Sequence, residues 1–306
     1  MKQAVYHGVG DVRVVAVDEP RPDENEVKVR VRYCGICGSD LHEYLHGPFP
    51  VSPFGHEVVG EVVEVGRGVS DLAEGDRVAV FHPGGYAEYQ AAPHDRLMKL
   101  PEDLSWRRAA LVEPLAGAAY AIERGRVTAD DTVLITGAGP VGLLVLMGLR
   151  AIGVSTVYVS EPSAVRRERA RELGATEIID PSQAKVSSVI RQLTEGRGVD
   201  VSVEAVGIEA TLKDCLTSTR YQGTVVVQGI FTERVPIHML GFVTRETTMI
   251  GCNFINPELA VEWMLTTDIE PESIVTSVIP IDDISDRGFE VLAHDKERDI
   301  KILVEP

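Results

Sequence analysis

The chain has 306 residues, a formal net charge of −17, 44% hydrophobic residues and four cysteines. Its apolar content excludes a disordered chain, and its length implies about two domains at ~150 residues each. So acidic a chain does not hold a nucleic-acid backbone by counterion release, and four cysteines (Cys34, Cys37, Cys215, Cys252) are too few for a disulfide scaffold of this size. The opening MKQAVYHGVG lacks the apolar core of a signal peptide. The most apolar run, Val133 to Leu149, has 17 residues with four glycines and a proline, short of the ~20 that span a bilayer. The expected setting is the cytoplasm, with no membrane partner.

Along the first 120 residues the pattern predicts short strands at Val27 to Tyr33, Glu57 to Val65, Arg77 to Val80 and Tyr86 to Ala91. Gly, Pro and Asp turns separate them, as in a small barrel-like or sandwich-like β unit. Near residue 120 the character changes. Strands are predicted at Thr132 to Thr136, Thr156 to Ser160, Glu177 to Ile179, Val199 to Glu204, Thr224 to Gln228 and Thr248 to Gly251. Helices alternate with them at Pro140 to Ala151, Ser163 to Leu173 and near 184–195 and 209–220. Apolar strands alternating with helices imply a parallel sheet covered on both faces. A last strand is predicted at Ile300 to Val304.

Gly137-Ala138-Gly139-Pro140-Val141-Gly142 fits G-x-G-x-x-G directly after a strand and at the start of a helix, the context a dinucleotide fingerprint needs. Gly137 permits the turn, Gly139 the approach of a pyrophosphate, and Gly142 close helix–strand packing. Glu161 lies 19 residues after Gly142, at the end of the next strand. A carboxylate there accepts hydrogen bonds from the adenosine ribose hydroxyls and repels a 2′-phosphate, which favours NAD over NADP. Arg166, five residues further on, works against that preference. The bland alternative is a glycine turn in a domain that binds no nucleotide.

A second cluster is CGICGSDLH, residues 34–42, followed by Gly55-His56-Glu57. The thiolate, imidazole and carboxylate of Cys37, His56 and Glu57 suit zinc, and Glu113 is a further candidate ligand. Buried cysteines and a satisfied histidine are the alternative. Ser39 and His42 sit close to Cys37 in sequence and could relay a proton outward.

YCGICGSDLHEYL, GHEVVGEVVEVG, GDRVAV, ALVEPLA and ITGAGPVGLL together resemble the zinc-dependent medium-chain dehydrogenases, most of all their 2,3-butanediol and sorbitol dehydrogenase branch. The resemblance runs nearly the whole chain. It implies an α/β protein with a GroES-like β catalytic domain split between residues 1–120 and 255–306, and a Rossmann domain over 121–254. It implies Cys37, His56, Glu57 and Glu113 as the zinc ligand set, Asp40 orienting His56, Ser39 against the substrate oxygen and His42 as outer relay. Cys34 would be structural. Gly137, Gly139, Pro140, Val141, Gly142, Glu161, Arg166, Val206, Gly207, Gly229 and Ile230 would hold NAD. The activity implied is hydride transfer between a secondary alcohol, diol or polyol and NAD, in a homodimer or homotetramer paired through the last Rossmann strand, Thr248 to Phe254.

Most relatives carry a lobe with four cysteines for a second, structural zinc. Here only residues 79–83, without a cysteine, bridge that place, so one zinc per chain is expected. The segment between His42 and His56 is also short. Two alternatives share the fold: a zinc-independent quinone or enone reductase, and an inactive nucleotide-binding relative.

Overall fold

The computed structural model describes residues 1–48, 54–295 and 297–306. Part of the short segment before His56, residues 49–53, therefore lies outside the described residues. The chain divides into two compact units, Met1–Glu113 with Glu270–Pro306, and Pro114–Ile269.

The first unit starts with a hairpin, β1 (Lys2–Gly8) against β2 (Asp11–Ala16). β3 (Glu26–Gly35) runs into helix α1 (Gly38–His46), and β4 (Glu57–Val65), β5 (Arg77–Val80), β6 (Tyr89–Pro93) and β7 (Leu97–Lys99) follow. Short α2 (Trp106–Ala109) precedes α3 (Val112–Arg124), which carries the chain out of this unit. The alternation Val27, Val29, Val31 is buried on one face of β3, as its period of two requires. β6 begins three residues later than its sequence pattern suggests, because Tyr86 to Glu88 first bridge to β1, the Ala4 N–H donating to Tyr86 O at 2.8 Å, before the ladder with β3 begins.

The second unit is a six-stranded, all-parallel sheet. Along the chain it comprises β8 (Thr132–Thr136), α4 (Pro140–Ala151), β9 (Thr156–Ser160), α5 (Ala164–Glu172), β10 (Glu177–Ile179), α6 (Val186–Leu193) and β11 (Val199–Glu204). It continues with α7 (Glu209–Ser218), β12 (Thr219–Val227), α8 (Met239–Thr244), β13 (Thr248–Gly251) and α9 (Pro257–Thr266). The strand order is β10-β9-β8-β11-β12-β13. Every residue of β11 is buried, the signature of a strand covered on both faces. The strand order, not the strand direction, reverses between β8 and β11, the place where doubly wound sheets bind nucleotides.

The sequence reading put unit boundaries at residues 120 and 255; the compact units change over at 113 and 269 instead. The cause is apolar packing. Leu115, Ala116, Ala118, Ala119 and Ala121 of α3 are fully buried, and the Asn256 N–H donates to Ala116 O at 2.9 Å. Trp263 of α9 lies against Gly148 of α4, so α9 closes the parallel-sheet unit.

The chain then returns to the first unit through β14 (Val275–Pro280), α10 (Glu290–His294) and β15 (Lys301–Glu305). Their sheet runs β14-β15-β3-β4-β5-β7, with β6 also on β3. Just before α10, fully buried Phe289 stacks on Tyr44 (centroids 5.0 Å apart) and Phe54 (5.7 Å) and meets Tyr86 edge-on at 6.1 Å. This aromatic cluster joins the two ends of the chain into one core. No helix among the described residues is long and apolar enough to cross a membrane.

Candidate functional site

Helix α1 has Cys37 at its N-cap, and Asp40 Oδ2 accepts the Cys37 N–H at 3.0 Å. Asp40 Oδ1 accepts the Gly55 N–H, also at 3.0 Å, which ties the start of α1 to the turn carrying His56. Tyr86 Oη completes the arrangement, donating to Asp40 Oδ2 at 2.7 Å. Asp40 is fully buried; burial raises its pKa, while His56, Tyr86 and the two backbone donors pull it back. These bonds fix the backbone on either side of the thiol and the imidazole.

Ligand-capable atoms of Cys37, His56 and Glu57 all lie within 4.8 Å of one another. Among the described residues they form the one group of three or more such side chains close enough to share an ion. Glu113, near the start of α3, brings Oε1 to 3.9 Å from His56 Nε2. Asp40 Oδ1 stands 3.8 Å from His56 Nδ1, within reach of its charge but beyond a hydrogen bond. Burial opposes a charged His56, yet the charges of Cys37, Glu113 and Asp40 hold its pKa well above the ordinary value. Burial pushes Glu113 up to about 7, with His56 acting downward and Glu57 upward. Several acidic groups thus crowd one buried spot. A thiolate, an imidazole and carboxylates offer zinc the donors it takes, so the residues present fit the ion.

The second carboxylate oxygen of Glu57 meets Lys301 Nζ in an ion pair whose side chains are 2% and 1% exposed. Lys301 Nζ also donates to Ile36 O at 2.9 Å. A Cβ at Gly35 would stand 2.1 Å from Glu57 Oε2, so only glycine leaves room for the pair. Sequence reading missed Lys301. Its one signal is a lysine set within the apolar strand KILVE, where β15 lies beside β3 and close to the motif.

Ser39, in the first turn of α1, is buried, and its Oγ has no hydrogen-bond partner among the described residues. A buried orphan hydroxyl costs free energy unless a ligand oxygen completes it. His42 lies one turn further along α1 and packs edge-on against the His46 ring, 4.6 Å between centroids. Burial first, and then the His46 charge, lower its pKa. Cys34 is fully buried, its thiol pushed well up by burial, in keeping with a structural role. His82 meets Pro83 O and His94 meets Asp71, away from the donor cluster.

In the second unit, Gly137 has φ 97° and follows β8, and Gly139 caps α4 with Pro140 at its first turn. A Cβ at Gly142 would meet Gly137 O at 2.0 Å, the close approach the fingerprint exists to permit. The Gly137 N–H is taken by Ser160 O at 2.8 Å, so what the loop offers an anion is the α4 N-terminus that begins at Gly139. Glu161 is buried just past β9; its Oε2 accepts the Ala138 N–H at 2.7 Å and its Oε1 the Ser163 N–H at 2.8 Å. Arg166 stands over the loop: its Nη1 lies 3.7 Å from where a Gly139 Cβ would be, and its buried Nε has no partner. An orphan guanidinium nitrogen beside a backbone cradle fits a dinucleotide.

The remaining cofactor candidates meet one another as well. Gly207 and Gly229 pack backbone to backbone beyond β11 and β12. Val206 and Ile230 are each 43% exposed there, apolar surface that a bound ring system would cover. Buried Glu204, another residue missed from sequence, organises this end. It accepts from the N–H groups of Val206 and Gly207 at 3.0 and 2.9 Å and from Thr211 Oγ1 at 2.6 Å. Its signal is an acid closing VDVSVE, a strand buried along its whole length.

Residues 23–102 match the family described as alcohol dehydrogenase GroES-like domain, and residues 140–266 match the zinc-binding dehydrogenase family. The chain is 37% identical to (R,R)-butanediol dehydrogenase of Bacillus subtilis, covering 100% of both proteins. That alignment runs over 351 positions against a chain of 306, so stretches of the relative have no counterpart here. Sorbitol dehydrogenase of Bos taurus is 31% identical over 91% of this chain and 89% of its own. The crystal structure of 2R,3R-butanediol dehydrogenase from Bacillus subtilis superposes with a TM-score of 0.91 at 35% identity, covering 100% of this chain and 99% of that one. A split β unit with a thiolate–imidazole–carboxylate cluster, a Rossmann unit with a complete glycine fingerprint and these full-length likenesses lead to one conclusion: the chain belongs to the zinc-dependent medium-chain alcohol dehydrogenases.

Proposed function

We propose that this chain interconverts a secondary alcohol of a small diol or polyol, 2,3-butanediol or a sorbitol-like compound, and its ketone, with NAD as hydride partner and one zinc per chain. The observation that carries the reading is the cluster of Cys37, His56 and Glu57 beside the unpaired Ser39 hydroxyl. When bound, zinc supplies the charge that lowers the pKa of an alcohol oxygen, and NAD supplies the hydride acceptor.

The chain's own residues have separate tasks. Cys37 and His56 would hold the metal together with an acidic ligand from Glu57 or Glu113, and Lys301 pairs with Glu57. Ser39 Oγ would accept the proton of the substrate hydroxyl while releasing its own toward His42, which would pass a proton outward from α1. The glycine loop binds the pyrophosphate through backbone N–H groups, joined by Arg166. Glu161 accepts the adenosine ribose hydroxyls, and its charge disfavours a 2′-phosphate. A zinc-independent reductase would leave the metal donors without a task.

The assembly we propose is a dimer in the cytoplasm, paired through β13 with its two-fold mate. β13 is the edge of the parallel sheet, and Met249 on it, Phe254 beyond it and Met239, Leu240 and Val243 on α8 are exposed. An apolar edge of this kind is an aggregation hazard unless paired. Sedimentation at the mass of one chain contradicts the dimer. For the activity, NADH formation is assayed on a panel of diols and polyols with NAD and NADP. Turnover of 2,3-butanediol or a polyol with NAD is expected; a silent panel rejects the reading.

A further inference from the structure

The parallel-sheet unit has a second basic site, at the end opposite the glycine loop. A cavity of ≈ 520 Å³ is lined by Arg191, Gly196, Arg197, Arg220, Tyr221 and Arg245. Arg191 lies in the last turn of α6, Arg197 in the turn before β11, Arg220 at the start of β12, and Arg245 at the end of α8 before β13. Because the strands are parallel, all four guanidiniums gather at N-terminal strand ends, whereas the glycine loop follows the C-terminal end of β8.

The charges around the cavity do not balance. Among the described residues Asp200 is the one carboxylate in ion-pair contact with the four, and it serves two of them, Arg197 and Arg220 (Nε at 2.7 Å). Arg191 and Arg245 reach only carbonyl oxygens. Arg191 donates to Gly196 O at 2.6 Å and Thr217 O at 3.2 Å; Arg245 donates to the same Thr217 O at 3.0 Å and to Thr219 O at 3.3 Å. Two like charges therefore converge on one carbonyl with no carboxylate between them. Glu246, beside Arg245, spends its carboxylate on Gln222 and Tyr221 instead. Burial, and then the charge of Arg191, lower the pKa of Arg245, so the cluster is under mutual repulsion. Carbonyl bonds satisfy N–H groups but leave the positive charge in place. In a chain of net charge −17, such an excess is local and specific.

We propose that this cavity binds a small molecule bearing phosphoryl groups, at a site separate from the cofactor loop. Guanidinium forks match phosphate oxygens two at a time, and the volume exceeds what a single inorganic phosphate fills. A ligand here bridges α6, the starts of β11 and β12, and the approach to edge strand β13.

The test is calorimetric titration of the whole protein, saturated with NAD so that the fingerprint is occupied. Pyrophosphate and glycerol phosphate are titrated separately at ionic strength matched with potassium chloride. Saturable binding of at least one is expected; pyrophosphate alone points to an inorganic ligand, and both point to recognition of the phosphoryl group itself. Arg191→Gln is expected to weaken the binding about tenfold or more while NAD affinity stays unchanged. Arg191→Lys keeps the charge, loses the fork, and is also expected to weaken it, which covers failure of the glutamine variant to fold. No saturable binding, or binding equal in wild type and both variants, overturns the proposal.

Discussion

Lys301 Nζ and Glu57 Oε2 form a buried ion pair between β15 and β4, and Lys301 Nζ also holds Ile36 O, one residue before Cys37. One side chain from the end of the sequence thus touches both halves of the donor cluster. Burial disfavours a charged lysine, yet Glu57 first, and then Cys37 and Glu113, hold its pKa above the ordinary value.

Lys301→Met tests this coupling. It leaves Glu57 buried without its partner, a change that costs about 3–5 kcal/mol when one member of a buried pair is removed. The loss is expected in denaturant unfolding of zinc-free protein and is expected to shrink when zinc is present, because the ion takes over the carboxylate's charge. Equal losses with and without zinc would separate Lys301 from the metal cluster. Adding Glu57→Gln to Lys301→Met is expected to restore part of the stability.

The proposed proton path runs through His42. His42→Ala is expected to lower alcohol oxidation about 10²-fold, the lower end for a positioned proton-transfer group. His42 must be neutral to accept a proton, so oxidation falls as pH drops through its pKa, which lies below the ordinary histidine value. His46→Ala removes one cause of that depression. The acid limb of kcat against pH is then expected to move to higher pH; an unmoved limb excludes His42 as the titrating group.

The cofactor loop gives two separable outcomes. Arg166→Ala is expected to weaken NAD binding about tenfold, as loss of a charged hydrogen-bond partner does. Glu161→Gln is expected to raise the relative use of NADP, because the repelling charge is gone while the one remaining acceptor oxygen can still take the Ala138 N–H, at the loss of the Ser163 bond. Fluorescence titration with both cofactors separates the two effects. Unchanged NAD affinity in Arg166→Ala would place that guanidinium off the pyrophosphate path.

Asp200 predicts how stability varies with acid. It accepts from the Thr132 N–H at 2.9 Å and pairs with Arg197 and Arg220. Burial acts to raise its pKa, but these partners win and hold it below the ordinary value of 3.8. A depressed carboxylate stabilises the fold at pH above its unfolded value, and that stability is lost as pH falls through the folded value. Asp200→Asn is therefore expected to cost about 1.5–3 kcal/mol at neutral pH and less in strong acid. Melting curves from neutrality down to about pH 3 check the convergence.

Much of this was legible along the sequence because its causes are local. Strands β4, β5, β8, β9, β10, β11 and β13 lie at the residues their apolar runs mark, and Ser163 caps α5 by accepting from the Arg166 N–H. The C-G-I-C-G-S-D and G-A-G-P-V-G runs carry their chemistry in short spacings. What was not legible depends on distant partners. Lys301 reaches Glu57 across 244 positions, and Phe289 reaches Tyr44 through a sheet closed by the last strand. The four arginines come from the end of one helix and the starts of three separate strands. α3 and α9 belong to the parallel-sheet unit because of what they bury, which no local pattern near residues 113 and 269 reveals.

The most direct measurement is zinc content and NAD-linked 2,3-butanediol oxidation on the same preparations of wild type and Cys37→Ser. Close to one zinc per chain with activity in the wild type, and both lost in the variant, is the expected result. Wild-type protein that oxidises the diol without zinc, or Cys37→Ser with full activity, would contradict the zinc-dependent mechanism.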